Sequence, residues 1–263
     1  MNDLQQTEAV LFEIVEPHIA LVTINRPEAR NAVNGAVAAG LEAAVERSES
    51  DPDIWAVILT GAGSLAFCAG ADLKDVSAGR LGGLSTPKGG FGGFVRAPRT
   101  KIWIAAAQGH ALAGGLELLL TCDLSVAAET ANLGVPEVKR SLLPAAGGVF
   151  RLPRALPKAI ALEMIATGDP ISAARAAHFG LVNVVVPASE VIAAALALAR
   201  RVTVNAPLAV GEALGVARQA YDFPEADLWE IGGAAIQRLY PTEDFQEGPR
   251  AFVEKRPPNW VGR

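Results

Sequence analysis

Residues 101–121 read KIWIAAAQGHALAGGLELLLT, and this stretch says most about the fold. The apolar run Lys101–Gln108 predicts a buried strand, and Gly114–Thr121 predicts a short helix soon after it. The glycine pair that opens the helix lets the backbone approach a ligand closely and leaves peptide N–H groups free. Such groups stabilise negative charge on a carbonyl oxygen, as in an oxyanion hole. The alternative is a turn that only packs a helix onto a sheet.

Two glutamates follow glycine turns in apolar surroundings. Glu117 stands among Leu116 and the three leucines at 118–120, so burial is expected to raise its pKa towards the range of a general acid or base. Glu137 follows Gly134-Val135-Pro136 in a predicted strand-to-helix connection. A surface or salt-bridged position on a helix is the alternative for each. Both glutamates are therefore candidates for proton transfer.

The first half of the chain alternates between predicted strands and helices. Val10–Val15 and Ile19–Asn25 are β-branched runs on either side of a proline-containing turn and predict a hairpin. Seven glycines between positions 79 and 93 predict a mobile surface segment. The other predicted elements of this half are helix Val33–Val45, strand Trp55–Thr60, loop Gly61–Gly70 and strand Asp123–Ala127.

The last third of the chain is predicted to be mostly helical. One strand, Val182–Val186, interrupts it. The predicted helices are Leu156–Thr167, Ser172–Phe179, Ser189–Val204, Pro207–Tyr221 and Pro224–Leu239. We therefore expect a main domain over residues 1–200 and a C-terminal helical region over residues 201–263.

Composition excludes several classes of function. The net charge of -5, with no long basic run, disfavours a nucleic-acid partner. Cys68 and Cys122 lie far apart and outside any Cys/His cluster, which predicts neither a disulfide framework nor a metal site. The start of the chain has no basic-then-apolar leader, and no apolar run reaches the roughly 18 residues of a membrane span. A cytoplasmic protein without a membrane partner is expected.

A loose dinucleotide-binding pattern occurs at Gly61-Ala62-Gly63-Ser64-Leu65-Ala66, after a predicted strand. Such a pattern holds a pyrophosphate only where a helix begins directly behind it. Here Phe67–Gly70 continues as a predicted loop, and no clear acidic strand end follows at the expected distance. A nicotinamide or flavin dinucleotide is therefore not predicted.

Four blocks in order resemble the signatures of the crotonase superfamily, which contains the enoyl-CoA hydratases and isomerases. They are Asn25-Arg26-Pro27 with Asn31-Ala32, Phe67–Lys74 (FCAGADLK), Ala113–Leu118 (AGGLEL) and Gly134–Glu137 (GVPE). Matches at 147–152, 180–182 and 252–256 extend the resemblance over nearly the whole chain. It implies an α/β spiral of ββα turns that form two roughly perpendicular sheets. It also implies a C-terminal helical trimerisation region, as a homotrimer or a dimer of trimers.

The resemblance implies an enoyl-CoA hydratase, a lyase of fatty acid β-oxidation that acts on acyl-CoA thioesters. In that family the thioester oxygen is held by backbone amides, which map onto Ala71 and Gly114. Glu117 then activates the water that attacks Cβ, and Glu137 delivers a proton to Cα. Coenzyme A is part of the substrate, so no separate cofactor is expected.

The resemblance also implies a set of substrate-binding residues. Lys74 and Lys255 are candidates for the phosphate end of coenzyme A, with solvated surface charges as the alternative. Segment 79–93 falls where the family varies its acyl pocket, whereas His110 and Trp103 are expected to be packing residues. The implied binding residues are Ala29, Arg30, Ala69, Gly70, Asp72, Leu73, Lys74 and Pro136, with Phe252 and Lys255 from a neighbouring subunit.

Other functions compete with hydration. Residues 243–263 also resemble carnitinyl-CoA dehydratases, which use two glutamates as well. Enoyl-CoA isomerases commonly keep only the second acidic position, so the presence of both Glu117 and Glu137 favours hydration. A non-catalytic acyl-CoA-binding scaffold is the alternative from another class, because a fold does not imply a function. RNA binding would require a basic surface, which the net charge does not suggest.

Overall fold

Twelve strands and ten α-helices run through residues 9–263, the part of the chain that this computed structural model describes. The predicted lack of a leader rests partly on residues 1–8, which lie outside the described residues. The strands are β1 (Val10–Glu16), β2 (Ile19–Ile24), β3 (Ala56–Gly61), β4 (Ala66–Cys68), β5 (Ser85–Thr86), β6 (Gly90–Phe91), β7 (Ile102–Ala107), β8 (His110–Leu112), β9 (Leu124–Ala128), β10 (Asn132–Gly134), β11 (Ile171–Ser172) and β12 (Val184–Val186).

The helices lie mainly in the second half of the chain, as predicted. Short 3-10 helices also occur, among them Pro27–Ala29 and Pro136–Arg140. The α-helices are α1 (Gly35–Ser50), α2 (Leu73–Ser77), α3 (Gly114–Thr121), α4 (Gly148–Ala155), α5 (Lys158–Thr167), α6 (Ala173–His178), α7 (Val191–Thr203), α8 (Pro207–Ala217), α9 (Glu225–Leu239) and α10 (Glu243–Glu254).

A six-stranded sheet in the order β1-β2-β3-β7-β9-β12 carries the core. The predicted hairpin β1–β2 is antiparallel, and the other neighbours in this sheet are parallel. Every residue of β3 and β7 is buried, including Trp103. Parallel strands covered on both faces need such continuous apolar runs. Helix α7 packs against β3, β7 and β9, while α1 packs against the hairpin.

A four-stranded sheet in the order β11-β10-β8-β4 lies next to the core sheet and carries the candidate site. Strands β4, β8 and β10 run parallel, and β11 pairs antiparallel with β10. The predicted loop Gly61–Gly70 was wrong in part, because β4 lies within it. Strands of three residues, such as β4, β8 and β10, are too short to leave an alternating pattern in the sequence.

Three helices that the sequence pattern did not predict are α2, which has only five residues, α4 and α10. Helices α4 and α10 each contain a proline in the interior, Pro153 and Pro249 respectively. Proline lacks the backbone N–H group and disfavours the helix interior, so pattern analysis does not indicate a helix there. Helix α10 is instead supported at its start by Thr242, whose hydroxyl oxygen accepts from the backbone N–H of Phe245 at 3.1 Å.

Segment 79–93 is not a surface segment over its whole length, as the glycine count had suggested. Gly89, Gly92 and Gly93 are buried. A Cβ atom on Gly93 would lie 2.0 Å from the carbonyl oxygen of Ala38 in α1. The carboxylate of Glu42, also in α1, accepts from the Gly89 N–H at 3.0 Å. These glycines therefore allow close packing on α1 and do not simply provide flexibility.

The C-terminal half ends in the helices α7 to α10. Helix α7 crosses the predicted boundary between residues 200 and 201, and the division into two domains stays a prediction. Within residues 9–263, no single helix has both the length and the hydropathy of a membrane span. Helices spanning 188–203 and 207–217 reach those criteria only when taken together, across a bend of 103°.

Candidate active site

The carboxyl ends of three parallel strands bring the predicted catalytic segments to one edge of the four-stranded sheet. Ala71 lies three residues beyond the end of β4, Gly114 follows β8, and Glu137 follows β10. Leu112 in β8 pairs with Gly134 in β10. Segments separated by more than 20 residues in the chain therefore meet, because parallel strands share the edge at which they end.

Two backbone N–H groups at this edge are free to bind a ligand. Val33 donates its N–H to the Gly70 carbonyl oxygen and accepts from the Asp72 N–H, so Ala71 between them directs its own N–H away from Val33. Gly114 is the first residue of α3, where backbone N–H groups have no partner within the helix. Among the described residues, neither Ala71 nor Gly114 donates its N–H to another group.

Close packing holds the two donors together. Gly70 and Gly114 are in contact, since a Cβ atom on Gly70 would lie 3.0 Å from the Gly114 nitrogen. A Cβ atom on Gly115 would lie 1.9 Å from the carbonyl oxygen of Cys68, so only glycine lets α3 approach β4 this closely. Ala113 takes a φ of 53°, a strained conformation that costs about 1–3 kcal/mol. The surrounding packing maintains this strain, which is typical of a functional turn.

Glu117 lies one turn into α3 with only 3% of its surface exposed. Burial raises its pKa to about 7, and the nearby Glu137 charge acts in the same direction. One carboxylate oxygen, Oε1, accepts from the Gly148 N–H at 2.8 Å, which partly offsets the effect of burial. A carboxyl with this pKa exchanges protons near neutral pH, as general acid–base catalysis requires.

Glu137 lies in the 3-10 helix Pro136–Arg140, directly after β10. Burial raises the pKa of its carboxyl as well. Its Oε2 atom is buried and has no hydrogen-bond partner within residues 9–263. A buried polar atom without a partner is costly, and such atoms in native structures often serve catalysis or ligand binding. Two carboxyl groups with raised pKa values thus lie beside two free backbone donors.

Comparisons with known proteins show the family to which the chain belongs. The family model for enoyl-CoA hydratase/isomerase matches residues 15–263. The chain belongs to this family. It is 40% identical over 252 residues to enoyl-CoA hydratase EchA19 of Mycobacterium tuberculosis, covering 94% of each chain. It is 38% identical over 247 residues to carnitinyl-CoA dehydratase of Salmonella typhi, covering 92% of this chain and 94% of that one.

Structural comparison confirms the predicted α/β crotonase fold for this family member. The crystal structure of enoyl-CoA hydratase EchA1 from Mycobacterium marinum superposes with a TM-score of 0.92 at 41% identity. The match covers 97% of this chain and 100% of that one. The strand β4 and not a helix begins at the end of the dinucleotide pattern at 61–66, so this pattern lacks the helix start that holds a pyrophosphate.

A shallow pocket beside the site contains part of the predicted substrate-binding set. Arg30 and Ala69 line it together with His110, which was expected to be a packing residue. His110 is exposed, and its Nδ1 accepts from the Asn132 N–H at 3.0 Å. The pocket is predominantly apolar, and its lining includes Ala69, the residue before Gly70.

Asp72, Leu73 and Lys74 at the start of α2 belong to the predicted binding set, and only Asp72 has a structural role there. Asp72 forms an ion pair with Arg26 at 3.0 Å and caps α2 by accepting from the Lys74 N–H at 3.0 Å. Both oxygens of Asp72 thus stabilise the loop that carries Ala71. The Leu73 and Lys74 side chains are exposed on α2. Of the remaining predicted residues, Ala29 and Pro136 are half-buried.

Phe252 and Lys255 lie at the end of α10, and among the described residues no side-chain hydrogen bond or ion pair joins them to the site. The Phe252 side chain is 85% exposed, and Lys255 ends the helix in a left-handed conformation. Both had been assigned to the site of a neighbouring subunit. Their part in substrate binding stays a prediction.

Sequence analysis gives no individual role at the site to three residues, although each lies in a motif or segment that it singles out. Gly148 supplies the N–H that binds Glu117, although its motif had been noted as part of the family resemblance. The ring of Phe91 lies against Gly114, where a Cβ atom would come within 2.6 Å of its Cζ. Asn31 donates from Nδ2 to the carbonyl oxygen of Ala66 at 2.7 Å and so holds β4. Only the pairing of distant segments reveals these contacts.

Proposed function

We propose that this chain is an enoyl-CoA hydratase, which adds water reversibly to the 2,3 double bond of an enoyl-CoA thioester. The observation that carries the proposal is the pair of carboxyl groups, Glu117 and Glu137, beside the free N–H groups of Ala71 and Gly114. An isomerase needs one acid–base group to move a proton, whereas hydration needs water activated at one carbon and a proton delivered to the other.

The two backbone donors would bind the thioester oxygen. As water adds to Cβ, negative charge develops on this oxygen in an enolate-like state. The N–H groups of Ala71 and Gly114 are held by packing before the substrate arrives, so they need no reorganisation when the charge forms. Loss of one such donor typically costs about 3–4 kcal/mol of transition-state stabilisation.

The carboxyl groups would divide the proton transfers. Gly148 binds Oε1 of Glu117, and the carboxylate would take a proton from water as the new C–O bond forms at Cβ. Protonated Glu137 would give its proton to Cα, so the π electrons of the double bond end in the new C–H bond. Dehydration reverses both transfers. Because the two groups interact, their pKa values belong to the pair.

Coenzyme A would enter as part of the substrate and not as a separate cofactor. The apolar pocket at Arg30 and Ala69 supports a path for the carrier beside Gly70. We further infer that Lys74 and the Phe252 and Lys255 side chains of a neighbouring copy contact it, within a homotrimer or a dimer of trimers. The exposed apolar side chains of the C-terminal helices, including the 75% exposed Trp229, support assembly. We also propose a role in fatty acid β-oxidation in the cytoplasm, as the family resemblance implies.

A carnitinyl-CoA dehydratase is the second candidate function. The 38% identity to the Salmonella typhi enzyme of that name favours it specifically. Its reaction would use the same pair of glutamates, so the difference would lie in the acyl pocket. The ring of Phe91, next to Gly114, is an aromatic surface of the kind that attracts a quaternary ammonium group.

The test measures the loss of enoyl-thioester absorbance when purified protein meets crotonyl-CoA, with crotonobetainyl-CoA in parallel. The Glu117→Gln/Glu137→Gln double variant is the blank. Turnover of crotonyl-CoA supports a general hydratase, and turnover of crotonobetainyl-CoA alone supports the second candidate. Turnover of neither, with acyl-CoA binding retained, would replace both proposals by an enzyme for a specialised acyl chain or by a non-catalytic binding scaffold.

A further inference from the structure

Arg151, which is half-buried in α4, joins three segments around the site. Its Nη1 donates to the Thr121 hydroxyl at 2.5 Å, at the end of α3. Its Nη2 donates to the carbonyl oxygen of Val95 at 2.8 Å, just beyond the glycine-rich segment. Thr121 in turn donates its hydroxyl to the Glu117 carbonyl oxygen at 2.7 Å. The helix that carries Glu117 is therefore tied to the helix that carries Arg151.

The same side chain holds the start of α4. Gly147 precedes this helix with a φ of 118°, and a Cβ atom on Gly147 would lie 3.0 Å from Nη1 of Arg151. Nη1 of Arg151 also donates to the carbonyl oxygen of Ala146, directly before this turn, at 3.5 Å. Gly148, which follows Gly147, supplies the N–H that binds Glu117. The guanidinium group thus packs directly on the turn that presents this N–H.

We propose that Arg151 is a positioning residue, which fixes the Gly148 N–H against Oε1 of Glu117 and thereby sets the orientation and charge of that carboxylate. The inference rests on the proposed hydratase function. Arginine suits the role because its planar guanidinium donates in two directions at once, towards Thr121 and Val95. Lysine carries the same charge on a single nitrogen, which cannot occupy both of the Nη positions from which arginine reaches Thr121 and Val95.

Arg151 affects Glu117 through its charge as well as through its contacts. It favours the ionised carboxylate and so lowers the pKa of Glu117, against the larger effect of burial. Loss of this charge raises that pKa. Water activation needs ionised Glu117, so the acid limb of the kcat/KM profile moves to higher pH. The other charged or titratable groups around Glu117 and Arg151 are Glu137, Arg99, Cys122 and Arg154.

The experiment compares pH profiles for crotonyl-CoA hydration in wild type, Arg151→Gln and Arg151→Lys. We expect Arg151→Gln to lose about 10- to 100-fold in kcat with little change in KM, because the carboxylate is misplaced and the substrate contacts remain. Its acid limb moves to higher pH. Arg151→Lys returns the limb to the wild-type position but restores kcat only in part. A purely structural role would not separate the two variants in this way.

Arg154→Gln is the matched control, because Arg154 lies on the same helix and pairs with Asp222 at the surface. It should leave the limb unmoved, and an equal shift in this variant would overturn the inference. So would a wild-type profile in Arg151→Gln. If Arg151→Gln does not fold, Thr121→Val removes the hydroxyl acceptor and keeps the charge. That variant should lower kcat without moving the limb, and unchanged kcat would contradict the inference.

A measurement without turnover separates this inference from the proposed function. The pKa of Glu117 can be followed by 13C NMR of labelled glutamate carboxyl carbons, with Glu117→Gln identifying the signal. If wild type hydrates no enoyl-CoA, the proposed function fails, yet the Glu117 pKa should still rise in Arg151→Gln. An unchanged Glu117 pKa in that variant would reject the inference in either case.

Discussion

Replacement of Glu117 by glutamine is expected to stabilise the fold while it abolishes catalysis. Burial is the main cause of the raised pKa, which is about 7 in place of the ordinary 4.5. This difference corresponds to roughly 3 kcal/mol of free energy. The carboxylate is retained at this cost because water activation needs a group that ionises near neutral pH. Glutamine has the same shape, stays neutral, and can still accept from the Gly148 N–H.

The sign of the pH dependence follows from proton binding. Below about pH 4.5, Glu117 is protonated in both the folded and the unfolded state, and its burial carries no ionisation cost. Between 4.5 and 7 the unfolded chain releases this proton first, so the free energy of unfolding falls as the pH rises. Above 7 the full cost of about 3 kcal/mol is present. The free energy of unfolding of Glu117→Gln should therefore exceed that of wild type by an amount that grows from about pH 4.5 to pH 8.

Urea denaturation at fixed protein concentration, at several pH values between 4.5 and 8, measures this difference. The concentration is fixed because assembly contributes to apparent stability. Glu129→Gln is the control, since Glu129 is exposed and outside the site. It should follow wild type over the whole range. A stability difference between Glu117→Gln and wild type that does not change with pH would refute the reasoning.

Three further predictions concern the site and its packing. Glu137→Gln should lower kcat by at least about 100-fold, because the proton for Cα is lost, while calorimetry finds acyl-CoA binding unchanged. Gly115→Ala should destabilise the fold by roughly 3 kcal/mol and lower Tm by about 10 °C, because its Cβ would lie 1.9 Å from the Cys68 carbonyl oxygen. Phe91→Ala should raise kcat/KM for longer enoyl chains relative to crotonyl-CoA, because a ring beside Gly114 is removed.

Each of these predictions has a result that contradicts it. A fully active Glu137→Gln variant would remove the proposed proton donor. For Gly115→Ala the control is Gly233→Ala in α9, where a Cβ atom meets nothing within 4 Å; this change should stabilise the helix by up to about 1 kcal/mol. Equal Tm values for the two variants would exclude the packing argument. An unchanged chain-length preference in Phe91→Ala would place the acyl group elsewhere.

The elements that the sequence predicted best are those with long, regular patterns. The hairpin β1–β2, the strands β3 and β7 and the helix α3 formed at or within two residues of their predicted bounds. Their apolar runs are continuous or alternate regularly, so periodicity alone indicates them. Strands β4 and β8 have three residues each, which is too few for a pattern. These short strands nevertheless set the positions of the site segments.

The sequence by itself determined the α/β class, the family and the two candidate glutamates, because each depends on local composition or on a short run of residues. Only the tertiary structure decided that the Gly148 N–H binds Glu117, that Phe91 lies over Gly114 and that Gly93 packs on α1. These contacts join segments far apart in the chain. Their geometry depends on how parallel strands and helices pack, which no local pattern encodes. The raised pKa of Glu117 was expected from its leucines, but the hydrogen bond that moderates it comes from a residue 31 positions away.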